Sequence, residues 1–462
     1  MFSLALTRFY AENKNRGPFA SRSNSNNFSM IAMLRLATIK VSQSLPSGLT
    51  TVDSPKSGAT IEKFQEYKPK TGQNQLTPSP SRSPSNETTM TTSAFISLMG
   101  IDDERYDMKV YGPHFFAELP RRIGSNDALD ASTSAVITAF TSVRLRKYDP
   151  NVLVQFGRAL RALRTCLDDP KQPVTLKMEM VGMILLCQLW IDNKQANKHR
   201  GVIAYLLKET VAQGRLSDIP QRDIRVWCLQ SVYASMVDPN VELESWFWDM
   251  AVQDAIMTRP YHYGPNLLSL ELGAIGELAL FLRDPKRYVY QLQCHYDVVK
   301  KERPIVRKLL QKSIPTITGR DSSPESKREC IEHAAIYGIL LGQSALIVPT
   351  LDALGAQSSF TKELHHICDE IILLAHLARP FRPCGASFVP ELLKLVWASL
   401  NDSYRHKEIE GLIEEYSEDV QGGNYLEQAR DIRSRYDRLR RSQEKSPSPV
   451  EDADGSPPCV IL

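Results

Sequence analysis

The stretch LHHICDEIILLAHLARPFRP, residues 364–383, decides the fold class of this chain. Its apolar residues recur at helical spacing and therefore share one face of a helix. The residues of that face are Leu364, Ile367, Cys368, Ile371, Leu374, Ala375 and Ala378. Two Arg-Pro pairs follow, and they end the helix because proline cannot continue its hydrogen-bond ladder. The stretch predicts an amphipathic helix that packs on a core and ends close to residue 379.

Similar helical patterns recur along the chain, separated by short connections. Three starts are marked by a capping residue or a proline, at Asp149-Pro150, Pro173-Val174-Thr175 and Ser323-Pro324. The last of these helices is expected to end near Gly342, which places Ser344 at a helix end. No run alternates between apolar and polar residues as a half-buried strand does. We therefore expect an all-α, stacked-helical domain.

Composition divides the chain into three parts. Residues 1–95 are rich in Ser, Asn and Pro and predict a disordered arm and linker. Residues 96–443 predict the helical domain, and residues 444–462 predict a disordered acidic tail. The first 88 residues hold 11 Lys/Arg against 5 Asp/Glu, a net of +6, so the total of +3 leaves −3 for the rest. The helical part is thus slightly acidic.

Motifs for catalysis and cofactor binding are not found. The eight cysteines are scattered, with the closest two 16 positions apart, which is typical of reduced intracellular thiols. There is no glycine-rich phosphate loop and no H-E-x-x-H zinc motif. Two Asp-Asp pairs and one Asn-Asp pair lack the further ligands of a magnesium–diphosphate site: Asp102-Asp103, Asp168-Asp169 and Asn401-Asp402. The sequence predicts a protein that is not an enzyme, with no catalytic residue, cofactor or metal site.

Three stretches, the last of which overlaps residues 364–383, resemble the middle homology region of fungal zinc-cluster transcription factors. They are ELPRRIGSNDALDASTSA at residues 118–135, the run from Trp190 to His199-Arg200-Gly201, and residues 368–397 around Arg382-Pro383-Cys384-Gly385. The resemblance spans about residues 111–443 and implies an all-helical regulatory region that receives signals. It also implies self-association or binding to transcriptional partner proteins in the nucleus. It transfers no catalytic role.

The DNA-binding head of that family is a cluster of six cysteines, and here no cysteine precedes Cys166. Six thiolates spaced two and about six residues apart are needed to hold two zinc ions. Three alternatives stay open. The Ser- and Asn-rich start stands in place of a zinc-cluster segment, or the protein has no such segment and acts through partners, or the helical fold acts at membranes through Cys459. Direct DNA binding is expected only under the first alternative, and indirect contact with DNA under the second.

Two candidate sites lie close to the C-terminus. Cys459 begins a C-a-a-X motif ending in leucine, which predicts geranylgeranylation, although acidic residues just upstream disfavour an anionic membrane. The second is a basic patch of Arg433, Arg435, Arg438, Arg440 and Arg441. These arginines fit phosphates, acidic lipid or an import receptor, whereas Asp431 and Asp437 between them favour helix salt bridges instead. We therefore expect a nuclear transcription regulator, with a prenylated scaffold in the cytoplasm or at membranes as the alternative.

Overall fold

A computed structural model describes residues 86–444 except 112, 148, 192–196, 216–220, 238–241, 259–266, 319–322, 356–359, 401 and 420–423. These described residues are 84% helical and include no strand. The predicted all-α class is confirmed. The helical class follows from local sequence, because apolar residues at helical spacing recur throughout this part of the chain.

The α-helices of the described part are numbered here in chain order. They are α1 (Glu87–Met99), α2 (Pro113–Glu118), α3 (Asp127–Leu145), α4 (Asn151–Asp168), α5 (Val174–Ile191), α6 (Asn197–Ala212), α7 (Gln221–Val237), α8 (Ser245–Thr258), α9 (Leu272–Arg283), α10 (Val289–Thr318), α11 (Pro324–Ala353), α12 (Phe360–Ala378), α13 (Val389–Ser399), α14 (Ser403–Ser417) and α15 (Tyr425–Glu444). Short 3₁₀ turns connect some of them, at Glu104–Tyr106, Met108–Tyr111, Leu119–Arg121, Leu268–Leu270 and Arg379–Phe381.

Helix α11 lies at the centre of the stack, and every residue from 334 to 351 is buried. Helices α10, α12, α13 and α15 pack around it. A second group forms from α3, α4 and α5, with α1 against α3. Helices α7, α8 and α9 contact one another, and α9 also contacts α10. Buried apolar side chains from all these helices form one continuous core.

The predicted end of the central helix near Gly342 is wrong. Helix α11 continues to Ala353, and Ser344 is fully buried, with its Oγ donating to the Leu340 carbonyl at 2.8 Å. The glycine is a packing position rather than a stop. A Cβ atom at Gly342 would lie 3.1 Å from Leu392 of α13. The absence of a side chain therefore lets α13 approach α11 closely.

The three predicted helix starts are confirmed, since α4 begins at Asn151, α5 at Val174 and α11 at Pro324. The Asn126 side chain caps α3 by accepting from two backbone amides, at 2.9 and 3.2 Å. Asp149 Oδ1 accepts from the Asn151 amide at 2.9 Å at the start of α4. Ser323 Oγ accepts from the Ser326 amide at 3.1 Å at the start of α11. Each cap pairs an amide that the helix itself leaves unbonded.

Among the described residues the first helix is α1, which begins at Glu87, before the predicted boundary between residues 95 and 96. Helix α1 crosses that boundary, with Asn86 capping it through a 2.7 Å bond from the Thr89 amide. Phe95 is fully buried, and its ring centroid lies 6.0 Å from that of Phe116. The Ser- and Thr-rich composition of α1 conceals this helix in the sequence. Phe95 and Leu98 are buried, and Met99 packs partly buried against the core.

In the part of the chain that the structure describes, two helices are long and apolar enough, by length and composition, to cross a membrane: α5 and α11. Of the apolar window in each, 67% is buried in α5 and 100% in α11. Both helices are therefore interior elements of the helical stack.

Candidate functional site

The candidate site is a cleft of about 140 Å³ where the end of α3 and the start of α4 meet the ends of α5 and α14. Its apolar lining residues are Ala139, Val143, Val152, Trp190, Ile191 and Pro383. Its polar lining residues carry both signs of charge and are Ser142, Arg146, Lys147, Glu418 and Asp419. A cleft lined by apolar residues together with a few polar groups is the usual form of a binding site.

Trp190 forms the deepest apolar wall of the cleft. Its side chain is 4% exposed and lies edge-on to Tyr111, with centroids 5.5 Å apart. On its other side the Phe140 ring lies 5.3 Å away. These ring contacts fix the indole, because aromatic pairs prefer tilted and edge-to-face arrangements. The tryptophan that supports the sequence resemblance is thus a rigid packing residue that also borders a cavity.

Pro383 of the Arg382-Pro383 turn also lines the cleft. Arg382 Nε donates to Asp419 Oδ2 at 2.7 Å, and its Nη1 donates to Glu415 Oε1 at 2.7 Å. The guanidinium also lies 4.8 Å from the centroid of the Tyr416 ring. Burial raises the pKa of the Asp419 carboxyl, and the guanidinium beside it opposes that shift. Arg382 therefore attaches the turn to the end of α14 and holds Pro383 at the cleft.

Arg146 and Lys147 border the cleft where α3 ends. Arg146 has φ +48°, the left-handed conformation that usually favours glycine at this position. The Lys147 amide donates to the Ser142 carbonyl at 3.1 Å, and Ser142 Oγ donates to the Lys147 carbonyl at 2.5 Å. The hydroxyl is therefore used as a helix-end cap rather than as a nucleophile. The lining residues that the structure describes can bind a small group through apolar contacts and charged side chains.

The predicted basic patch is largely engaged within the protein. Arg433 lies over the Trp397 ring at 5.7 Å from its centroid, with Nη1 3.2 Å from His406 Nε2. Arg440 pairs with Asp437 at 3.2 Å and Asp352 at 3.5 Å. The Nε of Arg441 donates to the Asp437 carbonyl oxygen at 3.2 Å.

The other two arginines of the patch differ in exposure: Arg435 is half-buried and Arg438 is exposed. The five α15 arginines therefore differ in exposure and in their partners. Arg433 packs inward against α13, whereas Arg438 and Arg441 are exposed to solvent.

A buried polar chain between α10 and α11 is not apparent from sequence patterns. The Ser269 amide donates to Glu302 Oε1 at 3.3 Å, and the Ser269 carbonyl accepts from Gln343 Nε2 at 3.1 Å. His295 Nε2 lies 3.5 Å from Gln343 Oε1. The available sequence signal is weak: a Glu, a Gln and a His at helix positions whose neighbours are apolar. Their bonds show a group that satisfies buried polar atoms.

Two sequence predictions lie outside the described side chains. Cys459 belongs to residues 445–462, which the structure does not describe. The side chains of His199 and Arg200 in α6 are likewise not described. Among the residues whose placement is described, no three His, Cys, Asp or Glu side chains come together as a possible metal site. Cys368 is fully buried on the α12 stripe, and burial raises the pKa of its thiol to about 12.

Comparison of the chain with protein-family models, with curated proteins and with solved structures gives no significant match.

Proposed function

We propose that this protein is a transcription regulator similar to the fungal zinc-cluster factors, acting through its helical domain by binding other proteins. The observation that carries the proposal is the meeting of two residues from separate stretches of the resemblance. Trp190 and Pro383 line the same cleft. A third landmark, Asn126, caps the helix whose far end borders that cleft. The resemblance places Trp190 and Pro383 in separate stretches of the chain, so their meeting at one cleft supports the proposal.

The proposed mode of action is recruitment rather than direct sequence reading. Contacts with DNA are then made by partner proteins, or by a zinc-cluster segment if one precedes the given start. The nucleus is the proposed location. The helical domain supplies the partner surface, and its single continuous core keeps that surface in fixed geometry.

A tethering assay tests this proposal. The full chain is fused to a bacterial repressor's DNA-binding domain and placed upstream of a reporter gene in a fungal host. The expected result is a change in reporter expression of at least several-fold, in either direction, that disappears without the operator. A fusion that is expressed and nuclear but leaves the reporter unchanged contradicts the proposal.

The terminal motif Cys459-Val460-Ile461-Leu462 supports a second candidate function, a prenylated helical scaffold at membranes. A protein tagged at its N-terminus and its Cys459→Ser variant separate the two. Under this alternative, the intact mass shows a geranylgeranyl group on Cys459 with the last three residues removed. The substitution then moves the protein from membranes to the soluble fraction. An unmodified Cys459 and an unchanged distribution contradict the scaffold.

A further inference from the structure

The outer face of α4 combines exposed apolar side chains with arginines. This α4 surface consists of Leu153, Val154, Gly157, Arg158, Arg161 and Arg164. Leu153 is 49% exposed and Val154 is 64% exposed, which is unusual for adjacent aliphatic residues. A Cβ atom added at Gly157 would have only Arg161 Nη1 within 4 Å, at 3.8 Å. Gly157 therefore leaves a flat position on the outer surface of the helix.

Helical spacing aligns these residues along α4. Val154, Arg158 and Arg161 follow at steps of four and three, so they lie along one line of the helix. Leu153, Gly157 and Arg164 lie on the neighbouring line. At about 1.5 Å per residue, the surface is about 17 Å long. Its first turn is apolar, and the turns that follow are basic.

The charge of this surface is not neutralised within the described structure. No described carboxylate lies within salt-bridge distance of Arg161 or Arg164, and both are exposed. Arg158 Nη1 does bond Glu87 Oε1 of α1, at 2.8 Å, but both side chains remain more than half exposed. An exposed pair of this kind contributes little to stability and is readily exchanged.

The turn that precedes α4 extends the same chemistry. Leu145 at the end of α3 is 65% exposed, and Arg144, Arg146 and Lys147 around it are exposed as well. Asp149 is the acidic residue of this turn, and its Oδ1 is engaged by the Asn151 amide. The turn therefore adds apolar area and positive charge next to the apolar end of α4.

We propose that the α4 surface docks an acidic amphipathic helix of a partner protein. Apolar side chains of that helix would lie on Leu153, Val154 and the flat position at Gly157. Its carboxylates would face the arginines, whose planar guanidinium groups bind carboxylates through two parallel hydrogen bonds. Arg158 already holds one helix-borne carboxylate, that of Glu87 on α1, through a single hydrogen bond.

The linear arrangement favours a helix over a lipid surface as the occupant. The exposed apolar residues occupy one end and the arginines follow along the axis, which matches a partner laid along α4. An amphipathic element that lies in a membrane instead has its basic residues beside a continuous apolar face. The inference names the kind of partner that the proposed regulatory function would use. It rests on that proposed function only in treating the domain as a binding module.

Peptide binding to the full chain tests the inference. The probe is a fluorescein-labelled synthetic helix whose docking face carries leucines in its first turn and glutamates in the turns that follow, and binding is followed by fluorescence anisotropy. Arg161→Gln with Arg164→Gln, and separately Leu153→Gln with Val154→Gln, are each expected to weaken binding about tenfold, which corresponds to about 1.4 kcal/mol. The matched control is Lys308→Gln with Lys312→Gln, two exposed lysines of α10, expected to change binding less than about twofold. All changes are at exposed positions, and circular dichroism checks that each variant is folded.

Three results would overturn the inference. The first is equal binding of a peptide with the same composition in scrambled order. The second is an equal loss in the α10 control, which indicates non-specific attraction between charges. The third is absence of peptide binding together with binding to phosphatidylcholine–phosphatidylserine vesicles that the α4 variants lose, which indicates a membrane surface. Peptide binding with a silent tethered reporter would instead contradict only the proposed transcriptional function.

Discussion

The ammonium of Lys394 lies 2.5 Å from Oε2 of Glu391, one turn away on α13, and the two side chains are 0% and 3% exposed. Lys394 Nζ also donates to Gln428 Oε1 of α15, at 2.8 Å. Removing two charges from water costs several kcal/mol per ion, which only close pairing and further hydrogen bonds offset. The pair therefore connects α13 to α15 and is costly to disrupt from one side.

Lys394→Met is expected to destabilise the protein by about 3–5 kcal/mol, because it leaves the Glu391 carboxylate buried without its ammonium. The double variant Lys394→Met, Glu391→Leu is expected to recover most of that loss, since apolar residues of similar volume replace both charges. Urea unfolding of the single and double variants measures this. The control is Glu408→Leu, which breaks only the exposed pair with Arg405 of the same spacing, leaves Arg405 with Asp369, and should cost less than about 1 kcal/mol. A double variant as unstable as the sum of its singles would contradict the pairing.

Gly276→Ala is expected to destabilise the protein by about 1–3 kcal/mol through overpacking. A Cβ at this position would lie 2.3 Å from Cε1 of Phe247, whose ring is fully buried between Trp246 and Trp248. Gly273→Ala on the same helix is the control, because no atom lies within 4 Å of its added Cβ. That control should leave stability unchanged or raise it by up to about 1 kcal/mol. Thermal unfolding of both variants checks the opposite signs, and equal effects would contradict the predicted contact.

His295 is expected to make stability fall as the pH drops from about 6.5 to 4. Burial lowers the pKa of its ring to about 4, although the contact with Gln343 acts in the opposite direction. In this window the unfolded chain binds the proton and the folded protein does not, so unfolding is favoured. The contribution is fully present above about pH 6.5 and amounts to about 3 kcal/mol at most.

The pH dependence of urea unfolding tests the role of His295. His295→Asn should flatten the fall in stability between about pH 6.5 and 4, because the ring that takes up the proton is absent. His366→Asn is the control, since that histidine is exposed on α12, and it should keep the wild-type slope. A slope in His295→Asn equal to that of the wild type would rule out the buried ring as its cause.

Arg146→Gly is expected to stabilise the protein by about 0.5–1 kcal/mol. The residue has φ +48° at the end of α3, a conformation that glycine adopts without steric cost. Arg144→Gly removes the same side chain two positions earlier, inside the helix, and should instead destabilise by about 1 kcal/mol. Melting temperatures of the two variants distinguish the cases. If Arg146→Gly lowers stability as much as Arg144→Gly, the side chain of Arg146 contributes more than its backbone strain costs.

Helix class and helix starts could be predicted from the sequence because their causes are local. The caps at Asn126, Asp149 and Ser323 bond amides no more than three residues away. The end of α11 could not be predicted in this way. Gly342 has the local character of a helix stop, but its position is set by contact with Leu392, on a helix far along the chain.

The candidate sites show the same difference. The arginine-rich composition of α15 is visible in the sequence, but the ring of Trp397 beneath Arg433 and the Asp352 carboxylate beside Arg440 are not. Likewise, Trp190 and Pro383 stand out only as separate landmarks until packing brings them to one cleft.

By itself, the sequence determined that this protein is a stack of amphipathic helices with defined starts, since periodicity and capping depend on residues within about four positions. The tertiary structure alone decided which polar groups are buried and paired, where glycine permits close approach, and which face of α4 stays uncovered. Those outcomes depend on side chains that meet only when distant helices pack, and their energies arise from desolvation and van der Waals contact at those meetings.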